Sequence, residues 1–166
     1  MPRTPLWRPT ARLIVLDPGD RILLFSFTDK TGRTGWFTPG GGLRKGEMPE
    51  AGAVRELAEE TGLVITEAEV GPVVATCAGQ WRGDDGTVFF GADSFFCVRA
   101  AGTAVRTDSQ EDLERSIITG HRWWTVEDLL GTTDRILPGA LPGLVAQLLE
   151  SGIPAWPARL PWRDLG

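Results

Sequence analysis

Two apolar runs open the chain, Ala11 to Leu16 and Arg21 to Phe27, with Asp17-Pro18-Gly19-Asp20 between them. Runs rich in Ile, Leu, Val and Phe read as strands, and the turn residues joining them predict a β-hairpin. Thr28 to Gly35 carries two glycines and mixed charge, the composition of a surface loop. Trp36-Phe37-Thr38 is a short extended piece that runs into Pro39 and the triplet Gly40-Gly41-Gly42. From Pro49 to Thr61 the period changes. Ala51, Val54, Leu57, Ala58 and Thr61 fall at i, i+3, i+6, i+7 and i+10, which predicts a helix that packs by that face. Pro49 suits its first position and Gly62 the residue beyond its end. Met48 stands where a side-chain cap is usual, an absence that costs about 1 kcal/mol of local helix stability.

Val70 to Trp81 and Thr87 to Val98 predict two longer strands, joined through the turn residues Arg82-Gly83-Asp84-Asp85-Gly86. Thr107 to Arg115 reads as a polar loop, Ser116 to Trp124 as a strand and Val126 to Leu130 as a helical turn. Leu141, Leu144, Val145, Leu148 and Leu149 mark the clearest amphipathic helix, a packing face of i, i+3, i+4, i+7 and i+8. The tail over 153–166 holds Pro154, Pro157 and Pro161 with Trp156 and Trp162, so it is expected to be extended. Strands, one helix, more strands and a last helix predict an α+β fold, a mixed sheet with helices on its faces. With 166 residues, no repeats and no linker, one domain over 1–166 is the expectation.

Charge changes the picture. The chain carries 17 Lys and Arg against 22 Asp and Glu, a net charge of −5, which argues against binding a nucleic-acid polymer. The acidity is concentrated. Glu47, Glu50, Glu56, Glu59 and Glu60 face only Arg55, so four of the five net charges lie within one 14-residue stretch. On the predicted helix Glu56 neighbours Glu59 and Glu60 at i+3 and i+4, so their carboxylates can share one patch. Beside a glycine turn, such a cluster is suited to a hard divalent cation, which takes oxygen ligands and couples them to phosphate. Cys77 and Cys97 read as buried free thiols, Met1 to Arg12 lacks the apolar stretch of a signal peptide, and no run reaches the ~18 apolar residues of a membrane span. A soluble cytoplasmic protein without membrane contact is expected.

The segment from Gly41 to Leu63 resembles the Nudix box. Nine positions carry the pattern: Gly41, Glu47, Arg55, Glu56, Leu57, Glu59, Glu60, Gly62 and Leu63. Trp36-Phe37-Thr38-Pro39-Gly40 resembles the lead-in of that family, and His121-Arg122-Trp123-Trp124 with Glu127-Asp128-Leu129 resembles its late strand and helix entry. The resemblance implies an α/β/α sandwich around a mixed sheet. It also implies a metal-dependent hydrolase that cleaves the pyrophosphate linkage of a nucleoside di- or triphosphate derivative by attack of water on phosphorus. Glu56, Glu59 and Glu60 would coordinate Mg²⁺ or Mn²⁺, with the Gly40 carbonyl as a further ligand. Arg55 and Glu47 would pair within the loop–helix–loop and orient the metal carboxylates, with Gly41 and Gly62 structural.

Members of the family place the general base differently. Glu56 is the candidate inside the box, and Glu111 and Glu114 are the candidates in the polar loop. His121, the only histidine, is read as structural. Trp81 is the candidate for base stacking, since the chain has no tyrosine. Arg12, with Arg8 and Arg82, could meet distal phosphates. The downstream proline of ADP-ribose members is missing: position 78 is Ala, and Pro72 comes too early. The competing class is a non-catalytic nucleotide-binding or regulatory module on the same fold. Trp7, Trp156 and Trp162 near the termini point to a homodimer interface or to packing back on the chain.

Overall fold

A computed structural model of the chain describes residues 4–108, 110 and 117–162. Nine strands and four helices are present among them: β1 (Leu6–Leu16), β2 (Ile22–Thr28), β3 (Thr34–Phe37), β4 (Gly40–Gly42), α1 (Pro49–Thr61), α2 (Glu67–Val70), β5 (Val73–Arg82), β6 (Val88–Arg99), β7 (Gly120–Trp124), α3 (Val126–Gly131), β8 (Arg135–Leu137), α4 (Leu141–Ser151) and β9 (Ala158–Leu160). The strands form one mixed sheet in the order β8-β3-β2-β1-β6-β5-β9, with β4 paired to β1 and β7 to β2.

The centre of the sheet is buried on both faces, which is why β1 and β2 read as unbroken apolar runs rather than alternating ones. Ile14, Leu16, Ile22 and Leu24 point to one side, where Leu129, Leu141, Leu144, Val145 and Leu148 of α3 and α4 cover them. Leu13, Val15 and Leu23 point to the other, against Ala53 and Leu57 of α1 and Val70 of α2. Helices on both faces of a mixed sheet make the α/β/α sandwich. Burying Leu57 alone contributes about 1.5–3 kcal/mol.

The two hairpins form where the turn chemistry places them. Asp17 turns its carboxylate onto the N–H groups of Gly19 and Arg21, at 2.9 and 2.8 Å, and so fixes the β1–β2 corner. Gly83 N–H donates to the Thr87 carbonyl at 2.8 Å and closes the β5–β6 corner. Pro49 opens α1, Met48 supplies no side-chain cap, and Gly62 ends the helix in the left-handed region with φ of 74°.

Several expectations need correction. β1 begins at Leu6, not Ala11, because β6 runs parallel to it over the whole register from Leu6–Phe89 to Leu16–Arg99. Pro9 hides that extension from sequence, since proline argues against a central strand; its carbonyl still accepts from Leu43 N–H at 2.9 Å. Val70 belongs to α2, and β5 starts at Val73. The predicted loop from Thr28 to Gly35 yields both ends to β2 and β3. The glycine triplet pairs with β1 as β4. The tail is extended as expected, and Ala158–Leu160 also joins the sheet edge parallel to β5. Cys77 is buried, whereas Cys97 is only half-buried, and both are free. Of the strand expected from Ser116, the part observed is Gly120–Trp124. No helix among the described residues is long and apolar enough to cross a membrane.

Candidate active site

The buried stripe of α1 is not the one hydrophobicity picks out. Ala53, Glu56, Leu57 and Glu60 are buried together, whereas Ala51, Val54 and Ala58 are only half-buried. Two glutamates therefore lie on the core side of the helix, Glu56 at 5% and Glu60 at 2% exposure. They fit there because the facing backbone is glycine. A Cβ at Gly41 would stand 2.7 Å from Glu56 Oε1, and one at Gly40 would stand 2.1 Å from the Ala11 carbonyl oxygen. Gly40 also holds φ of 134°, a conformation that L side chains rarely adopt. Its N–H donates to Glu60 Oε2 at 2.7 Å, which ties the end of α1 to β4.

Arg55 organises the acidic residues. Its Nε and Nη2 donate to Glu47 Oε1 and Oε2 at 2.7 and 2.8 Å, a two-pronged pair across the loop before the helix. Nη1 donates to Glu56 Oε1 at 2.8 Å and to Glu59 Oε2 at 3.3 Å, and Nη2 reaches the Gly42 carbonyl at 3.1 Å. Arg44 adds a backbone N–H to Glu47 at 2.8 Å and a longer contact to Glu59 at 3.4 Å. The Arg55 bonds hold the Glu47 carboxyl down at about 2 against the opposing effect of burial, with Arg44 assisting. The same bonds push the Arg55 guanidinium well above its ordinary value.

Among the described residues, no three acidic, histidine or cysteine side chains close on one point. The Arg55 guanidinium stands between Glu56 and Glu59, and Glu60 turns to Gly40. The Gly40 carbonyl, expected as a metal ligand, accepts from Arg12 Nη1 at 3.2 Å.

From this glycine turn a cleft of about 1120 Å³ opens between the β1–β6–β5 surface and the strand ends of β3 and β8. Gly40, Gly41 and Glu60 line one end. Arg8, Arg12, Lys30, Arg82 and Arg135 also line it, with Glu60 and Asp93 opposing them in charge among the described residues. The described walls are therefore cationic although the chain is acidic, which suits an anionic ligand. The structure thus brings Arg8, Arg12, Trp81 and Arg82 to one cavity with Glu60. Trp81 stacks on Phe89 with centroids 5.0 Å apart, and Arg8 lies over that same Phe89 ring at 5.2 Å.

His121 is exposed on β7 and does not line this cleft. Glu111 and Glu114 lie outside the described residues. Sequence reasoning did not select Asp93, which accepts a hydrogen bond from Thr10 Oγ1, or Gln110, whose Nε2 donates to the Glu60 carbonyl at 3.1 Å. It also missed Lys30 and Arg135. No local motif marks any of the four; only the fold brings Lys30, Asp93 and Arg135 to the cleft and Gln110 to α1. Cys77 lines the cleft too, but burial, with Asp93 adding to it, pushes its thiol up to about 11, so it is no nucleophile near neutral pH.

The NUDIX domain model matches residues 6–142. Among solved structures, the chain is similar to the MutT protein of Methanosarcina mazei Go1, with a TM-score of 0.65, 15% identity, and 89% of this chain and 96% of that one covered. The ORF135 protein of E. coli gives 0.61 and 21% identity, covering 92% and 96%. The NUDIX domain of Shewanella oneidensis NrtR, complexed with ADP ribose, gives 0.59 and 19%, covering 89% and 90%. At these identities the structures speak for the fold alone. No curated protein matches. With the family model spanning most of the chain and the box residues gathered by Arg55 beside a cationic cleft, the chain belongs to the Nudix family.

Proposed function

We propose that the protein is a hydrolase that uses Mg²⁺ or Mn²⁺ to cleave the pyrophosphate linkage of a nucleoside di- or triphosphate derivative by attack of water on phosphorus. One observation carries this reading: a single guanidinium, Arg55, gathers Glu47, Glu56 and Glu59 next to the glycine turn that opens into the cationic cleft. The donor set fits a hard cation. Glu56, Glu59 and Glu60 offer only oxygen and project from neighbouring turns of α1 beside the glycine turn, the donor chemistry that a hard divalent ion takes. Glu56, Glu59 and Glu60 would hold it, with the Gly40 carbonyl once Arg12 releases it.

A cation bound there supplies charge neutralisation of the pyrophosphate and a lowered pKa for its water. Arg55 and Glu47 orient the carboxylates without touching substrate. Glu56 accepts the proton of the attacking water, with Glu111 and Glu114 as the alternatives; replacing each in turn by Gln discriminates them. Arg12 and Arg8 neutralise distal phosphates; Trp81, stacked between Phe89 and Trp162, meets the base by its edge rather than by stacking on it. The protein is further proposed to be cytoplasmic, in keeping with two free thiols. A homodimer is supported by Trp7 and Trp156, which stay 61% and 83% exposed; Trp162 instead packs on its own chain. A monomer mass by solution scattering at micromolar concentration would contradict the dimer.

The reaction is tested by turnover of a nucleotide panel in heavy-oxygen water. Label in a phosphate-bearing product supports attack on phosphorus. Binding without any turnover across the panel would favour the non-catalytic module.

A further inference from the structure

The family match ends at residue 142, yet the cleft does not. Pro161 and Trp162 line it together with Cys77, Trp81 and Gly91. They are carried there by β9, which adds to β5 in parallel through Ala75–Ala158, Thr76–Arg159 and Cys77–Leu160. Cys77 Sγ donates to the Pro161 carbonyl at 3.6 Å and anchors the end of this strap. Beyond it, the Trp162 indole lies on bare backbone. A Cβ at Gly79 would stand 2.0 Å from its ring, and one at Gly91 would stand 2.8 Å from the Trp81 ring and 3.0 Å from that of Trp162. Trp81 flanks the indole at 6.0 Å between centroids and 24° between planes, too close for another ring to enter between them.

We propose that Trp162 is a specificity-determining residue: the C-terminal strap fills the glycine floor of the cleft with an indole and so limits the size of the substrate group accepted at the end remote from α1. Three observations converge on this. The floor is made of two glycines, Gly79 covered by the Trp162 indole and Gly91 by the rims of both Trp162 and Trp81. That ring comes from a segment beyond the family match. It also faces the same cavity as Arg8 and Arg12. Removing the indole adds its volume to the cleft and leaves the α1 carboxylates and their glycine turn untouched.

The inference rests on the cleft being the substrate site. Its test therefore compares two substrates in one assay, a compact nucleoside triphosphate and a nucleoside diphosphate carrying a sugar on its terminal phosphate. Trp162→Ala is expected to raise kcat/KM for the bulky substrate relative to the compact one at least tenfold, through KM, with kcat for the compact one within threefold of wild type. Trp162→Phe is expected to fall between the two, which guards against an alanine variant that folds poorly. An unchanged ratio in both variants, with normal melting curves, would overturn the proposal. If the wild type turns over neither substrate, the same ratio is read as Kd by titration calorimetry with both nucleotides, where an unchanged Kd ratio overturns the role of Trp162 on its own; hydrolysis itself is judged on the full nucleotide panel.

Discussion

Arg55 closes two arms of its guanidinium on the two oxygens of Glu47, at 2.7 and 2.8 Å, and spends its remaining nitrogen on Glu56 and Glu59. One side chain thus sets the orientation of Glu47, Glu56 and Glu59. Arg55→Lys keeps the charge and loses the fork, because an ammonium cannot match both carboxylate oxygens in one plane. Activity is expected to fall about 10–100-fold, the usual effect of disturbing the partners of metal ligands. Steady-state kinetics with metal titration checks it; a variant within twofold of wild type at every metal concentration contradicts the role.

Glu47 gives a pH signature. Its carboxyl is held near 2 in the folded chain against an ordinary 4.5, so its contribution to stability is complete above 4.5 and is lost as pH falls toward 2. Glu47→Gln lacks that contribution at every pH. The gap in Tm between wild type and Glu47→Gln should therefore narrow through this window, measured by thermal melts from neutral to acid pH. A gap that stays constant would show that the pair is not held by charge.

Gly41 faces Glu56 so closely that any side chain must displace it. Gly41→Ala is expected to lower kcat at least tenfold. Gly42→Ala, whose Cβ meets nothing within 4 Å, is expected to lose far less. Equal losses in the two variants would mean that the glycines serve the turn alone.

Much of this was readable in the sequence, for identifiable reasons. The β1–β2 and β5–β6 hairpins announce themselves through local turn residues, and α1 through Pro49 and Gly62. The buried stripe of α1 does not, because hydrophobicity cannot foresee that Glu56 and Glu60 will face glycine backbone rather than water. β8 and β9 are three residues each, and their parallel pairing depends on distant strands rather than on local propensity. The box gave the acidic end of the cleft through its spacing. Its cationic walls come from Arg8, Lys30, Arg82 and Arg135, scattered over the chain and gathered only by the fold.

Metal binding should stabilise the folded chain. Mg²⁺ or Mn²⁺ at about 100 times its Kd adds ~2.7 kcal/mol. For a chain of this size that is a rise in Tm of about 5–10 °C. The double variant Glu59→Gln and Glu60→Gln should show little of it. An equal shift in wild type and double variant would place the ion elsewhere.

The most direct test of the central claim is nucleotide release from the substrate panel, with and without Mg²⁺, by the wild type and by the single variants Glu59→Gln and Glu60→Gln. The proposed site predicts turnover only with the metal and a loss of at least a hundredfold in each variant. Wild-type rates persisting in either variant, or without the metal, would contradict it.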